Sequence, residues 1–285
     1  MRKKFMIIII TISLQMLGQN DLSYTWPDFN TSMKSPAQTY QETFFYQDPF
    51  WNQLAALYDQ NIISNLEFSE EPRIPKIIHQ IWVGSPLPEK YKALQETWKK
   101  NHPDWQYILW TDKELNALDF INKDKYNAAT NMGEKSDIAR YELLYRYGGI
   151  YIDTDFECLL PFDILHHTCD FYAGLDSSKE VNIFNGLIAG KAGHPILKKC
   201  VESLRLITQN STSIYEIIEK TGPRFFTRCI KESLSSITGR SVIFPSTYFY
   251  PWPGGARAQN SRTEIEQWFK PESFAVHHWH CSWQK

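Results

Sequence analysis

The segment GGIYIDTD at residues 148–155 constrains this chain more than any other part of its sequence. Residues 136–147 before it carry apolar side chains at helical spacing, which predicts an amphipathic helix capped by Ser136 and ended by the two glycines. The β-branched and aromatic residues 150–152 predict a strand. The sequence therefore predicts a helix, a tight glycine turn and a buried strand in direct succession.

Acidic side chains follow this strand and also lie on the helix before it. A strand has a side-chain period of two, so Asp153 and Asp155 are predicted on one face and Thr154 on the other. Two adjacent carboxylates repel each other unless a cation such as Mg²⁺ or Mn²⁺ lies between them. Asp137 and Arg140 are three residues apart and share a helix face. Alone, each pair is more often a solvated turn or a surface ion pair; together they predict a ligand site.

The composition is that of a folded domain without a strong overall charge. The 285 residues are 42% hydrophobic and 15% aromatic, enough for one catalytic-size domain plus an extension. A net charge of −2 argues against a nucleic-acid partner. The five cysteines are an odd number without CxxC spacing, so at least one is predicted to be free.

The chain divides into three predicted regions. Residues 1–20 begin with basic side chains followed by an apolar run, which predicts a cleaved signal peptide or an N-terminal membrane anchor, with a preference for the signal. This start predicts a location in the secretory pathway, a Golgi-like membrane or the cell envelope, with secretion after cleavage. Residues 21–70 are interpreted as a stem or accessory segment with a helix near 51–58. Residues 71–285 form the predicted catalytic domain.

The catalytic domain opens with a strand, a helix and a second strand. Residues 77–83 and 105–110 are apolar and β-rich, and residues 88–100 between them have helical spacing. Strand, helix and strand at this spacing indicate a βαβ unit. The fold class is therefore α/β, with a mostly parallel sheet that the Asp153 strand continues.

Four motifs in a fixed order carry a family resemblance. The segments are IPKIIHQIW at 74–82, NHPDW at 101–105, SDIARY at 136–141 and GGIYIDTD at 148–155. In this order they resemble the DXD-motif glycosyltransferase family 32, typified by yeast initiating α-1,6-mannosyltransferases and capsular polysaccharide transferases, with clostridial glucosylating toxins as distant relatives. The resemblance implies a GT-A fold (a Rossmann-like, mostly parallel sheet flanked by helices), Mn²⁺ or Mg²⁺, a GDP-mannose or UDP-hexose donor, and retention of anomeric configuration.

The resemblance also implies roles for the acidic residues. Asp155 would bind the metal directly, and Asp153 would contact the donor ribose or, through water, the metal. Asp137 would accept hydrogen bonds from hydroxyls of the donor sugar, and Arg140 would hold the sugar or the phosphate. A metal between the two aspartates would stabilise the charge that develops on a diphosphate leaving group.

Further positions are assigned by the same resemblance. Trp82, at the end of the first strand, would line the nucleotide base pocket, although a core aromatic residue is an equal alternative. Asn185 and Gly186 would flank the donor sugar, although Asn-Gly is also the strongest turn dipeptide.

The end of the chain is rich in histidine and tryptophan. The family ends in a similar stretch, which implies that His278 is a third metal or phosphate contact, with His277 and His280 as alternatives. Ser282 and Trp283 would then close over the diphosphate. A separate zinc site is not indicated, because paired cysteines and histidines on several elements are missing from the sequence.

The sequence thus predicts a retaining, metal-dependent hexosyltransferase that moves mannose, galactose or glucose from a nucleotide sugar to a glycan, lipid or protein. One alternative is a metal-dependent phosphohydrolase with Asp153 as nucleophile, although Phe156 and Glu157 depart from the motif of that class. The other alternative is a non-catalytic glycan-binding protein on the same fold. No nucleic-acid partner is expected, and membrane association would occur through the N-terminus.

Overall fold

The computed structural model describes residues 26–33, 48–176, 180–208, 211–237 and 239–282. The predicted signal or anchor at residues 1–20 and the tryptophan at position 283 lie outside these ranges. The described strands are β1 (Ile77–Ile81), β2 (Gln106–Trp110), β3 (Gly149–Ile152), β4 (Phe156–Cys158), β5 (Phe171–Leu175), β6 (Ile183–Gly190), β7 (Ser241–Phe244) and β8 (Ala275–His277).

Helices surround these strands. They are α1 (Phe29–Ser32), α2 (Pro49–Tyr58), α3 (Glu89–Asn101), α4 (Asp112–Ala117), α5 (Lys123–Ala128), α6 (Met132–Tyr147), α7 (Asp163–Thr168), α8 (Pro195–Leu204), α9 (Ile214–Lys220), α10 (Pro223–Ser233), α11 (Ser246–Phe249) and α12 (Arg262–Glu266).

A six-stranded sheet in the order β2-β1-β3-β6-β5-β7 forms the centre of the fold. β6 runs antiparallel to both of its neighbours, and the remaining adjacent pairs are parallel. The predicted α/β class with a mostly parallel sheet is therefore confirmed. β4 and β8 pair antiparallel in a small second sheet that brings the end of the chain beside the turn after β3.

Helix α6 positions the acidic residues that precede β3. Its N-cap is Asn131, whose side chain accepts hydrogen bonds from the backbone N–H groups of the first turn. The predicted cap at Ser136 is wrong, because α6 already begins at Met132. The predicted end is confirmed: Gly148 and Gly149 have φ angles of 66° and 98°, a region that residues with a Cβ rarely adopt.

The described part of the predicted accessory segment shares the core of the domain. The predicted helix near residues 51–58 is confirmed as α2, which packs against β7. The hydroxyl of Tyr58 lies 2.7 Å from that of Tyr248, and Trp51 is buried in the same cluster. Residues 48–64 therefore pack into the same core as the predicted catalytic domain.

All five cysteines are free, so the structure contains no disulfide among residues 158, 169, 200, 229 and 281. In the described ranges, no helix combines the length and the apolar character that a membrane crossing requires.

Candidate active site

The two aspartates of the DTD motif lie in the turn between β3 and β4. β3 ends at Ile152, so Asp153 and Asp155 follow the strand and do not share a strand face as predicted. The turn nevertheless brings their carboxylates together with the imidazole of His277: one ligand atom of each lies within 4.8 Å of the others. Ligands of open α/β sheets bind at this carboxyl edge of the strands.

Asp155 is buried and held by the end of the chain. Its Oδ1 lies 3.0 Å from His277 Nε2, and its Oδ2 accepts a hydrogen bond of 2.8 Å from the backbone N–H of His280. Burial by itself raises the pKa of this carboxyl, but the imidazole of His277 and the His280 N–H outweigh it. The pKa of Asp155 is therefore lowered well below its ordinary value, and the side chain is an anion.

Asp153 has a different environment. Its side chain is 30% exposed, and its Oδ1 accepts a hydrogen bond of 2.6 Å from the Tyr151 hydroxyl. Burial and the charge of Asp155 raise its pKa, although Arg140 acts in the opposite direction. Gly186 lies directly behind it, since a Cβ at that position would come within 2.8 Å of Asp153 Oδ2.

The C-terminal histidines have side-chain partners that differ from those predicted: His277 faces Asp155, and His278 faces Glu157. The His278 ring lies 3.1 Å from Glu157 Oε2, and Arg262 Nη1 donates to the two oxygens of the same carboxylate at 2.6 and 2.7 Å. The His278 ring is therefore directed to Glu157, although the His278 backbone N–H donates to the Asp155 carbonyl at 2.9 Å. The ring beside the two aspartates is that of His277, one of the two stated alternatives. We correct the candidate metal set accordingly.

The register of the second sheet explains this exchange. β8 pairs with β4 so that His277 lies opposite Phe156, and the two rings stack at 4.6 Å between centroids. Strand alternation then stops, because Trp279 and Cys281 have positive φ angles of 52° and 45°. The regular strand alternation of β8 therefore ends at His277.

A second polar cluster surrounds Arg140 on helix α6. The guanidinium is 5% exposed, and its Nη2 lies 3.0 Å from Asp137 Oδ1 and 3.4 Å from Asp153 Oδ1. Nη1 donates to the backbone carbonyl of Asn185 at 2.6 Å. The Tyr151 ring lies 4.4 Å from the guanidinium carbon. Arg140 thus connects the predicted sugar-binding acid to the DTD turn.

Asp137 is paired on both carboxylate oxygens. Asn185 Nδ2 donates to Oδ1 at 2.8 Å, and Thr221 Oγ1 donates to Oδ2 at 3.0 Å. Burial raises the pKa of Asp137 to about 6, against the opposing effects of Arg140 and these hydrogen bonds. Asn185 and Gly186 lie inside β6, so the alternative of an Asn-Gly turn is wrong.

The remaining predicted residues lie on the aromatic side of the site. The Trp82 ring is 4.9 Å from that of Tyr91, which in turn is 5.5 Å from the imidazole of His280. Trp82 directly follows β1, and its partly exposed ring offers an aromatic surface to a nucleotide base. Its role in the base pocket stays a prediction. Ser282 is exposed, and Trp283 is outside the described ranges, so their closure over a diphosphate also stays a prediction.

The Asp153, Asp155 and His277 cluster fits a divalent cation. Two carboxylates and one imidazole offer the oxygen and nitrogen ligands that Mn²⁺ accepts, and Mg²⁺ prefers the oxygens. The ligand atoms lie within 4.8 Å of one another, and a small closing movement of the side chains brings them within the roughly 4.4 Å that two bonds of about 2.2 Å to one ion span. The Nδ1 atom of His277 is buried without a hydrogen-bond partner among the described residues. The cluster is thus incompletely satisfied by the protein alone.

The sequence matches a known protein family over the part that contains most of this site. Residues 88–171 match the family described as "Glycosyltransferase sugar-binding region containing DXD motif". Asp137, Arg140, Asp153 and Asp155 lie inside the matched segment. His277 and the rest of the C-terminal stretch lie outside it.

Curated relatives cover a similar part of the chain. Inositol phosphoceramide mannosyltransferase 3 of Schizosaccharomyces pombe is 34% identical over 176 residues, which are 59% of this chain and 47% of the relative. Mannosyl phosphorylinositol ceramide synthase SUR1 of Saccharomyces cerevisiae is 33% identical, over 53% of this chain and 40% of the relative. This chain thus spans less than half the length of both relatives.

Among solved structures, the PaToxG glycosyltransferase is similar with a TM-score of 0.46 and 20% sequence identity. The alignment covers 68% of this chain and 77% of that one.

Proposed function

We propose that this chain is a DXD-motif glycosyltransferase that transfers a hexose from a nucleotide-diphosphate sugar to an acceptor hydroxyl. The observation that carries the proposal is the convergence of Asp153, Asp155 and His277 at the carboxyl edge of the sheet. The two aspartates lie inside the segment that matches the family, and β8 adds the histidine from outside it. Sequence motif and local geometry therefore identify the same position.

In this proposal the three side chains hold Mn²⁺ or Mg²⁺. The ion supplies Lewis-acid stabilisation of the negative charge on a departing nucleoside diphosphate. Asp155 is suited to be the main ligand, because its lowered pKa keeps it ionised. Asp153 is more exposed, which suits a ligand that also meets the donor.

Asp137 and Arg140 position the donor sugar in this proposal. Each oxygen of an ionised carboxylate has two lone pairs. Asp137 Oδ1 already interacts with Asn185 and Arg140, whereas Oδ2 accepts only from Thr221 and keeps one acceptor site for a sugar hydroxyl. Most N–H groups of Arg140 are already engaged by protein oxygens. Its main contribution is therefore to hold Asp137 and Asp153 in place and to balance their charge.

For the transfer itself we propose retention by front-face substitution. The acceptor hydroxyl attacks the anomeric carbon from the side of the leaving diphosphate, and an oxygen of that diphosphate takes the hydroxyl proton. The bond to the sugar breaks as the new glycosidic bond forms. The protein supplies positioning and electrostatic stabilisation, which account for large parts of many enzymatic rate enhancements.

The names of the relatives support mannose and a lipid acceptor as the first combination to test. Both curated relatives are named for mannosyl transfer to a ceramide that carries phosphoinositol. We therefore propose GDP-mannose as donor and a glycolipid headgroup as acceptor, with UDP-hexoses, glycans and proteins as the competing candidates. The basic and apolar N-terminal residues support a location in the secretory pathway or cell envelope.

The test is a thermal-shift series on the full chain with GDP and UDP, each with Mn²⁺ and with EDTA. A ligand at a hundred times its dissociation constant adds about 2.7 kcal/mol, which raises the midpoint of a domain of this size by roughly 5–10 °C. We expect a shift that requires both Mn²⁺ and one of the two nucleotides, preferably GDP.

Other results would point elsewhere. A shift with Mg²⁺ and a phosphate mimic, but with neither nucleotide, would support the phosphohydrolase with Asp153 as nucleophile. The absence of any shift, together with binding of a free glycan, would support the non-catalytic protein. A transfer assay with radiolabelled GDP-mannose then identifies the acceptor class.

A further inference from the structure

A cavity beside helix α6 has no role in the proposed function. Its walls come from α5, α6 and the ends of α8 and α9, and none of the three candidate metal ligands lines it. It contains about 170 Å³ of space, less than the roughly 300–1,000 Å³ of sites for drug-sized ligands. A ligand of this cavity is therefore small or inserts only one end.

A buried carboxylate lines this cavity. Glu134, in the first turn of α6, is 4% exposed. Its Oε1 accepts a hydrogen bond of 2.5 Å from the Ser211 hydroxyl, whereas its Oε2 is buried without a hydrogen-bond partner among the described residues. Within those residues Glu134 also forms no ion pair. A helix N-terminus favours negative charge, but a buried carboxylate is normally paired with a cation as well.

The other charged groups of the cavity do not supply that cation. Lys125 lines the cavity from α5, but its Nζ lies 3.5 Å from Asp124 Oδ2, and Asp124 lines the cavity too. These two charges offset each other at the rim. Glu134 thus gives the described lining a net negative charge, which favours a cationic ligand.

The uncharged part of the lining is largely aliphatic. Ile138 and Leu204 are buried in it, and Ile207 is half-buried. On the chain that follows α8 and begins α9, Leu206 and Tyr215 are 79% and 68% exposed. Apolar surface inside the cavity and on the adjoining chain favours a ligand whose cation is attached to an alkyl chain.

We propose that this cavity binds an alkylammonium group, with the ammonium on the Glu134 carboxylate and the alkyl chain against Ile138, Leu204 and Ile207. An ammonium carries three N–H donors and a compact charge, and its hydrogen bond to a carboxylate is of the strong, charge-assisted kind. The same group occurs in a free alkyl amine and in a lysine side chain, so the chemistry of the cavity is the same for both.

The proposed site adjoins the Asp137 cluster without sharing its charged groups. Thr221 lines the cavity, and its hydroxyl donates to Asp137 Oδ2 at 3.0 Å. Thr221 thus separates Glu134 from the acid assigned to the donor sugar. The alkylammonium site therefore goes beyond the proposed function and does not depend on it.

The test is calorimetric titration of the full chain with hexylammonium and with hexanol, its uncharged counterpart of equal size. We expect the wild type to bind hexylammonium at least about tenfold more tightly, since a hydrogen bond to a charged group exceeds the energy of one decade in affinity. Glu134→Gln keeps the size of the side chain and an acceptor for Ser211, and it should abolish this preference. Glu96→Gln removes an exposed carboxylate on α3 and should retain the preference.

Each outcome decides the proposal. Equal affinity for the two probes in the wild type overturns it, and so does a preference that survives in Glu134→Gln with wild-type circular dichroism, because the cation would then bind elsewhere. An equal loss in Glu96→Gln would also overturn it, since the effect would be one of overall charge.

A third probe, Nα-acetyl-lysine amide, distinguishes the two sources of the ammonium. Its binding to the wild type, but not to Glu134→Gln, assigns the site to a lysine side chain. A hexylammonium preference without this binding assigns the site to free amines. If the wild type binds no nucleotide with Mn²⁺, the proposed function fails, but these titrations still decide the alkylammonium site.

Discussion

Two neighbouring acidic clusters in this protein are built in opposite ways. Around Asp137, the carboxylate, the guanidinium of Arg140 and their hydrogen-bond partners satisfy one another, and both charged side chains are at least nine-tenths buried. Around Asp155, a second carboxylate lies close by, Asp153 is 30% exposed, and the ring of His277 keeps an unpartnered nitrogen. In the first cluster the protein leaves one acceptor site, on Asp137 Oδ2, whereas the second cluster has room for another positive charge.

This difference indicates a division of work between scaffold and ligand site. A buried polar network with all members satisfied is rigid, and its energy depends on keeping every partner. A carboxylate pair without enough positive charge favours binding of a cation. Arg140 contacts both Asp137 and Asp153. The rigid cluster around Asp137 therefore fixes the orientation of Asp153 in the cluster that can bind a cation. The predictions below test whether the two clusters can be separated in this way.

The largest expected effect is on turnover, from the change Asp155→Asn. Loss of the anionic ligand should reduce Mn²⁺-dependent donor turnover by at least about 1,000-fold, because metal stabilisation of the leaving group contributes several kcal/mol. Steady-state kinetics over a Mn²⁺ titration measures this effect. The matched control is Glu157→Gln, which removes a nearby carboxylate outside the metal cluster and should keep turnover within about threefold. Normal turnover in Asp155→Asn would make the metal assignment untenable.

The next effect concerns stability and pH at Asp137. Burial raises its pKa to about 6 from an ordinary value of 3.8. A carboxyl with a raised folded-state pKa stabilises the fold below its unfolded-state pKa, and this contribution disappears as pH rises through about 6. The free energy of unfolding of the wild type, relative to Asp137→Asn, should therefore fall by up to about 3 kcal/mol between pH 4 and pH 7.

Urea unfolding of both proteins at four pH values measures this difference. Thr221→Val is the informative control, because it removes one hydrogen bond to Asp137 but leaves the titrating carboxyl in place. It should keep the pH dependence, whereas Asp137→Asn should lose it. A difference between wild type and Asp137→Asn that does not change with pH would show that Asp137 is not the desolvated acid described here.

The fold was predictable where local sequence decides the structure. The glycine pair ends α6 because residues with a Cβ rarely adopt its φ angles. The apolar runs of β1 and β2 have a strand pattern that is recognisable without their neighbours. The start of α6 was misplaced because Asn131 and Ser136 are both good caps, and only the packing of the first turn selects between them. Local signals therefore identified the element but not its boundary.

The candidate site was predictable only in part, because its third member comes from a distant segment. Asp153 and Asp155 are recognisable from their spacing, whereas the choice of His277 over His278 depends on the register of β8 against β4. That register places the His277 ring on Phe156, a tertiary contact between segments distant in sequence.

The smallest expected effect tests how closely the backbone supports Asp153. A Cβ at Gly186 would lie 2.8 Å from Asp153 Oδ2 and 3.3 Å from the Phe156 ring, so Gly186→Ala should displace the carboxylate. We expect a loss of Mn²⁺ affinity of about threefold to tenfold and a stability cost of about 1 kcal/mol. Calorimetric titration with Mn²⁺ and urea unfolding measure the two quantities. In the control Gly255→Ala, the new Cβ meets no atom within 4 Å, and stability should change by no more than about 0.5 kcal/mol. If Gly186→Ala bound Mn²⁺ like the wild type, Asp153 would not be a ligand held by β6, and the metal would depend on Asp155 and His277.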